Sequence, residues 1–244
     1  MTKTLLVTGG GRGIGAETCL RAAKDGWDVC VNYINNVERA NEVVSLVEQA
    51  GRRAIAVQAD ISIESDVKRL FEACDHQLAP LKGLVNSAGI LEPITRIEAI
   101  SGDELVRHVM VNVVGTVLCA REGVKRMSTT SGGNGGVIVN ISSRASTLGG
   151  AGAHVHYAAS KGAVDSFTFG LSQEVGAEGV RVCAVSPGTI DTEIQPEGRI
   201  ETIAPTIPFK RVGEAREVAN AIVWLLSDEA EYVSGTVLGV SGGR

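Results

Sequence analysis

Short apolar runs alternate with striped segments from one end of the chain to the other. Leu5-Leu-Val7, Asp28-Val-Cys-Val-Asn32, Ala54-Ile-Ala-Val57, Gly83-Leu-Val-Asn86, Gly136-Val-Ile-Val-Asn-Ile141 and Val180-Arg-Val-Cys-Ala-Val185 are strand-length runs, and a last one falls near Thr236-Val-Leu-Gly239. Between them, apolar residues recur at helical spacing: Ala16, Cys19, Leu20 and Ala23, then Ala40, Val43, Val44 and Val47, then Val67, Leu70, Phe71 and Cys74. Strand–helix alternation implies parallel strands joined by right-handed crossovers. The pattern predicts an α/β fold, a doubly wound sheet of about seven parallel strands with helices on both faces. The elements follow one another evenly with no linker, so residues 1–244 read as a single domain. The glycine-rich patch at 131–136 reads as a loop between a long helix and the fifth strand.

Composition narrows the class. The 244 residues are 44% hydrophobic and only 21% charged, with 30 glycines, which suits a layered domain with many tight turns. A net charge of −5 without a basic run argues against a nucleic-acid partner. The start, Met-Thr-Lys, has no signal-peptide architecture, and no apolar stretch is long enough to cross a bilayer. Cys19, Cys30, Cys74, Cys119 and Cys183 are scattered without metal-ligand spacing, so buried free thiols in a cytoplasmic protein, and no metal site, are expected.

The first run leads into Thr8-Gly-Gly-Gly-Arg-Gly-Ile-Gly15, and a helix opens directly behind it. A strand, a glycine turn and a helix start bring backbone N–H groups and the positive end of a helix dipole beside a phosphate. Gly9, Gly13 and Gly15, with Ile14 among them, permit the close approach that a Cβ would block. No Gly-Lys-Ser/Thr follows, so a dinucleotide is expected rather than a triphosphate. Many NAD-binding folds carry an acid about 20 residues beyond such a turn, gripping the ribose 2′-hydroxyl. Here that window reads Asn32-Tyr-Ile-Asn-Asn36, without a carboxylate, and Glu38 belongs to the next helix. Arg12 stands ready for a 2′-phosphate. NADP(H) is therefore favoured and NAD(H) is the alternative; the plainer reading of Arg12 is a solvated loop cation. Asp60 and Ile61 close the third strand, where they suit an adenine ring; Asp60 fits a turn or cap equally well, and Ser62 fits the N-cap of the next helix. Asn86-Ser-Ala88-Gly89 follows the fourth strand with small residues where a cofactor ribose can approach.

Tyr157 and Lys161 are four apart on a helical segment, hence on one face. An ammonium beside a phenol favours the phenolate, which makes the tyrosine an acid/base for an alcohol or carbonyl oxygen. By itself the pair proves little. In an open parallel sheet, however, ligands sit outside the carboxyl ends of the strands. The glycine turn, Asp60, Asn86 to Gly89, Ser143 and Pro187 to Thr192 all fall at those ends, and Tyr157 and Lys161 follow the fifth strand closely.

With Thr8-Gly9-x-x-x-Gly13-x-Gly15, Asp60, Asn86-x-Ala88-Gly89, Asn112, Ser143, Tyr157-x-x-x-Lys161 and Pro187-Gly188-x-x-x-Thr192, the chain resembles a short-chain dehydrogenase/reductase of the single-domain, Rossmann-like subtype over essentially its whole length. Val31-Asn-Tyr33 and Tyr232-Val-Ser-Gly235 are typical of the branch holding glucose dehydrogenases and 3-oxoacyl-carrier-protein reductases. The resemblance implies an NAD(P)(H)-dependent oxidoreductase that interconverts a small-molecule carbonyl and a secondary alcohol. Tyr157 would be the acid/base, Lys161 would lower its pKa and hold the nicotinamide ribose, Ser143 would bind the substrate oxygen, and Asn112 would anchor a relay water. Cofactor contacts would come from Gly9, Arg12, Gly13, Ile14, Gly15, Tyr33, Asp60, Ile61, Asn86, Ala88, Gly89, Pro187, Gly188, Ile190 and Thr192, besides Tyr157 and Lys161. A homotetramer is implied as well.

The chain departs from the family pattern in places. Ser87 replaces the usual second asparagine of the motif after strand four. Ser143 lies 14 residues before Tyr157, one more than is common, and Gly149-Gly-Ala-Gly152 is expected to absorb the difference. Ser142 should point to the other face of its strand. No arginine follows Tyr33, where many NADP-using relatives carry one. His154 and His156 read as surface or pocket-wall residues; Arg144 fits an acidic substrate or an ordinary salt bridge equally. Trp224 with Val218, Ala221, Ile222 and Leu225 reads as core or subunit interface. A non-catalytic, dinucleotide-sensing regulator is the second functional class, but such proteins typically lose the serine, tyrosine or lysine retained here. A sugar-nucleotide epimerase would need a C-terminal substrate domain for which the chain has no room. The lid expected at 191–212, with Pro196, Pro205 and Pro208, lacks a basic cluster for a coenzyme-A or phosphorylated ligand. A small sugar, a hydroxy-lipid intermediate and a xenobiotic ketone all fit.

Overall fold

The computed structural model describes residues 3–195 and 198–244. In chain order its elements are β1 (Lys3–Thr8), α1 (Gly13–Lys24), β2 (Trp27–Tyr33), α2 (Val37–Gln49), β3 (Ala54–Gln58), α3 (Glu64–Gln77), β4 (Leu81–Asn86), α4 (Gly102–Val109), α5 (Thr116–Met127), β5 (Gly136–Ile141), α6 (Ala145–Leu148), α7 (Val155–Val175), β6 (Val180–Pro187), β7 (Ile190–Asp191), α8 (Arg199–Ile203), β8 (Gly213–Glu214), α9 (Ala215–Leu226) and β9 (Val237–Val240). Seven strands form one sheet in the order β3-β2-β1-β4-β5-β6-β9, and every neighbouring pair is parallel. The chain winds one way from β1 to β3 and the other way from β4 onward. That reversal opens a crevice at the carboxyl ends of β1 and β4.

The uninterrupted apolar strands follow from burial on both faces. Successive side chains point to opposite sides, so β1 feeds two cores. Leu5 and Val7 pack with Cys19 and Ala22 of α1, Val43 and Val47 of α2, and Ile222 and Leu225 of α9. Leu6 packs on the other side with Val67, Leu70 and Phe71 of α3 and Cys119, Ala120 and Met127 of α5. The helical stripes therefore serve as read from their spacing, and all five cysteines are buried and free. No described helix is long and apolar enough to cross a membrane.

One local expectation needs correction. Ser62 does not cap α3: that position falls to Ile63, while the Ser62 hydroxyl donates to Asp60 Oδ1 at 2.6 Å. Glu64 and Asp66 meet the positive end of the helix instead, and Asp66 also accepts the Asp60 N–H. Of the expected lid, Thr192, Glu193, Ile194, Gln195, Arg199 and Ile203 line the cleft, and β7 pairs with β8. Pro196 lies outside the described residues.

Candidate active site

A cleft of about 1290 Å³ runs along the carboxyl ends of the strands. Its floor begins at the glycine turn. Thr8 Oγ1 accepts the N–H groups of Ser87 and Ala88, and Gly9 N–H donates to Asn32 Oδ1, so the ends of β1, β2 and β4 are tied together. A Cβ on Gly9 would lie 2.9 Å from Ala88 Cα, and one on Gly15 would lie 2.3 Å from the Gly9 carbonyl oxygen. Both contacts are too short for any side chain, so the turn is a cradle of bare backbone at the start of α1, the geometry a pyrophosphate needs. Arg12, Gly13, Ile14, Tyr33, Asp60, Ile61, Ala88, Gly89, Pro187, Gly188, Ile190 and Thr192 line the same cleft.

At the other end stand Ser143, Tyr157 and Lys161. Tyr157 and Lys161 lie one turn apart on α7, and Lys161 Nζ is 5.7 Å from the centre of the Tyr157 ring. Lys161 is buried and donates to the Ile141 carbonyl at 2.7 Å, which fixes its direction. Burial lowers its pKa to about 8, against the pull of Asp165. The expected depression of Tyr157 does not follow from this geometry. Burial pushes the phenol above its ordinary value, and the group that opposes this is the Ser143 hydroxyl; one of the three Lys161 N–H donors goes to Ile141. Tyr157 and Ser143 both line the cleft, placed to share an oxygen held there. Ser142 is buried and donates to the Lys161 carbonyl at 3.4 Å, so Ser143 is the serine beside the tyrosine, as its spacing suggested.

Two asparagines expected at the cofactor and relay positions do not line the cleft. Asn86 is buried beneath the floor, donating to Asn140 Oδ1 at 2.9 Å and to the Thr116 carbonyl; it braces β4 against β5 and α5 and does not line the cleft. Asn112 is also buried behind the cleft. It sits in a π-helical turn, Met110–Gly115, between α4 and α5, and both its amide groups are committed: Oδ1 accepts Ile90 N–H, and Nδ2 donates to Ile90 O and Ser160 Oγ. It holds the segment beyond Gly89 against α7.

Other residues come forward. Arg39, in the first turn of α2, lines the cleft beside Arg12, and both pair with Glu193 of the lid; the Arg12–Glu193 separation is 3.7 Å. The arginine absent after Tyr33 is thus supplied from further along the chain. His156 is not a pocket-wall residue: it is buried with its ring 4.7 Å from that of His108, and neither ring nitrogen of either residue has a protein partner. His154 does line the cleft, with its ring 5.9 Å from that of Tyr157. Among the described residues no acidic, histidine or cysteine cluster could hold a metal.

These features agree with what the chain is similar to. A family model described as "Enoyl-(Acyl carrier protein) reductase" matches residues 9–244. The protein named "Uncharacterized oxidoreductase YgfF" of Escherichia coli K12 is 50% identical over 243 residues, covering 98% of each chain. A 3-oxoacyl-[acyl-carrier-protein] reductase of Staphylococcus aureus is 32% identical over 248 residues, covering 100% of this chain and 98% of its own. Among solved structures, a short-chain dehydrogenase of Burkholderia cenocepacia in complex with NADP superposes with a TM-score of 0.93 at 33% identity, covering 99% of this chain and 97% of that one. A blue fluorescent protein from a metagenomic library in complex with NADPH superposes with a TM-score of 0.92, also at 33% identity and with the same coverage. The chain belongs to the short-chain dehydrogenase/reductase family of oxidoreductases.

Proposed function

We propose that the protein is an NADPH-dependent carbonyl reductase in which Tyr157 is the proton donor. The observation that carries this is the placement of Tyr157 beside Ser143 and Lys161, in the cleft that begins at a side-chain-free cradle for a dinucleotide. Gly9, Gly13 and Gly15 would hold the pyrophosphate, Arg12 and Arg39 a 2′-phosphate, and Lys161 the nicotinamide ribose. When bound, the nicotinamide supplies the hydride. Ser143 holds the substrate carbonyl oxygen and stabilises charge developing there. Tyr157 gives that oxygen a proton, and Asn112 keeps the wall beyond Gly89 in register with α7. NADP or NADPH in the two solved relatives supports the cofactor assignment. Exposed Phe169, Trp224, Tyr232 and Val237 suit burial between subunits, as in a tetramer, and five reduced thiols suit a cytoplasmic setting.

Tyr157→Phe tests the reading. Loss of the general acid should cost roughly 10²- to 10⁴-fold in kcat, while NADPH titrated by fluorescence should bind as it does to the wild type. Near-normal turnover by the variant would remove Tyr157 from the chemistry.

A further inference from the structure

The reacting end of the cleft is rich in basic side chains. Arg107, Arg144, Arg199 and Arg244 line it together with Lys161 and His154, and among the described residues no aspartate or glutamate side chain does. The two acids that reach the cleft lie at its far end. Asp60 closes the turn after β3 through Ser62, and Glu193 is tied to Arg12 and Arg39. Glu92 and Glu104 line an adjoining pocket with Arg107, and Asp165 acts on Lys161 from outside the cleft lining.

The arginines come from separate parts of the fold. Arg107 lies on α4 directly before His108, whose ring is 6.2 Å from that of Tyr157. Arg144 follows Ser143 and is already engaged: its Nε donates at 2.8 Å to the main-chain oxygen of Arg244, the last residue of the sequence, which also accepts the Ser241 hydroxyl. Arg199 opens α8 in the lid and stands beside His154, where its charge adds to burial in holding that imidazole neutral. Its Nε is buried without a hydrogen-bond partner among the described residues. Arg107 and Arg199 make no ion pair with any described aspartate or glutamate. Guanidinium groups gathered in a walled cleft repel one another and focus their field inward. A planar anion relieves that repulsion and matches the guanidinium fork.

We propose that the substrate is an oxo acid, whose carboxylate is gripped by Arg199 and Arg107 while Ser143 and Tyr157 take its carbonyl oxygen. This rests on the reading of Tyr157 as proton donor. The carbonyl carbon gains a hydride from the reduced dinucleotide and its oxygen gains the phenolic proton, so the product is the hydroxy acid. Neutral sugars and ketones are then poor substrates.

The experiment compares acetoacetate, 4-oxopentanoate and 5-oxohexanoate with their methyl esters, using NADPH and the full-length enzyme. At one chain length or more, the acid should exceed its ester in kcat/KM by at least about 10-fold, the worth of one charge-assisted pair. Arg199→Ala and Arg107→Ala should each lower that acid-to-ester ratio by about 10- to 100-fold, chiefly through KM, and Arg199→Lys should recover part of it. Esters matching acids at every length, or variants that lower both alike, would overturn the proposal. A binding arm separates it from the reading beneath it. In the NADPH complex of Tyr157→Phe, the acids but not the esters should change the nicotinamide fluorescence. Selective acid binding without wild-type turnover would leave the anion site standing and sink the reductase reading. Turnover of esters and neutral ketones without preference for acids would do the reverse. No acid binding up to about 10 mM would also overturn the proposal.

Discussion

Arg39 sits in the first turn of α2, where the positive end of the helix dipole disfavours a cation. A residue placed against its local electrostatics has another task, and here it lines the cleft beside Arg12. That misfit is visible in the chain, three residues beyond the Asn36 cap and outside the window directly after Tyr33. Arg12→Ala and Arg39→Ala should each weaken NADPH binding by roughly 10-fold and leave NADH nearly unchanged, as expected for one charge-assisted contact to a phosphate. Fluorescence titration with both dinucleotides measures the difference. Asn86 and Asn112 teach the opposite lesson. Their positions in the motif are right, yet their side chains are consumed by Asn140, Ile90 and Ser160. Residue type and spacing fixed where they stand; only packing reveals that they hold the walls of the cleft.

α4 and α7 meet through His108 and His156, and that contact sets an acid limit on the fold. Burial first, then the neighbouring charges of His156, Lys161 and Arg107, bring the His108 imidazole down to about 4. Its value in the unfolded chain is near 6.5. Below that pH the unfolded chain takes up a proton that the folded chain refuses, so stability falls as pH drops from about 6.5 towards 4 and levels off beneath. The cost approaches roughly 3 kcal/mol at the acid end. His108→Leu should remove this slope; urea unfolding at pH 5 and pH 7.5 compares the two proteins. The strands and core stripes were legible because a two-faced sheet demands continuous apolar runs and helices demand a period near 3.6. The histidine pair was not, because its members lie on helices far apart in sequence.

At the scale of the whole molecule, the reversal of strand order places the cleft, and the strand–helix alternation was enough to locate it. Its substrate end was illegible for a topological reason. Arg107, Arg144 and Arg199 come from α4, the turn after β5 and the lid, so no stretch of sequence reads as basic. Apolar side chains also remain on the outside, with Tyr232 fully exposed and Phe169 at 59%. If the protein is the proposed tetramer, light scattering will find an assembly of four chains, and Tyr232→Glu will shift it towards smaller species.

Glu193 gives the lid a second role. Its carboxylate and a 2′-phosphate would compete for the same two guanidiniums. By linkage, whatever draws the phosphate in must loosen the lid, and to the same degree whatever frees the lid must help the phosphate enter. Both ion pairs are solvent-exposed, so the coupling is small: Glu193→Gln should tighten NADPH by about two- to five-fold and leave NADH alone. Backbone amides at 191–195 should exchange hydrogen faster with NADPH bound than with NADH. The choice between two coenzymes and the freedom of the doorway to the reacting carbon would then be one equilibrium, read from either end.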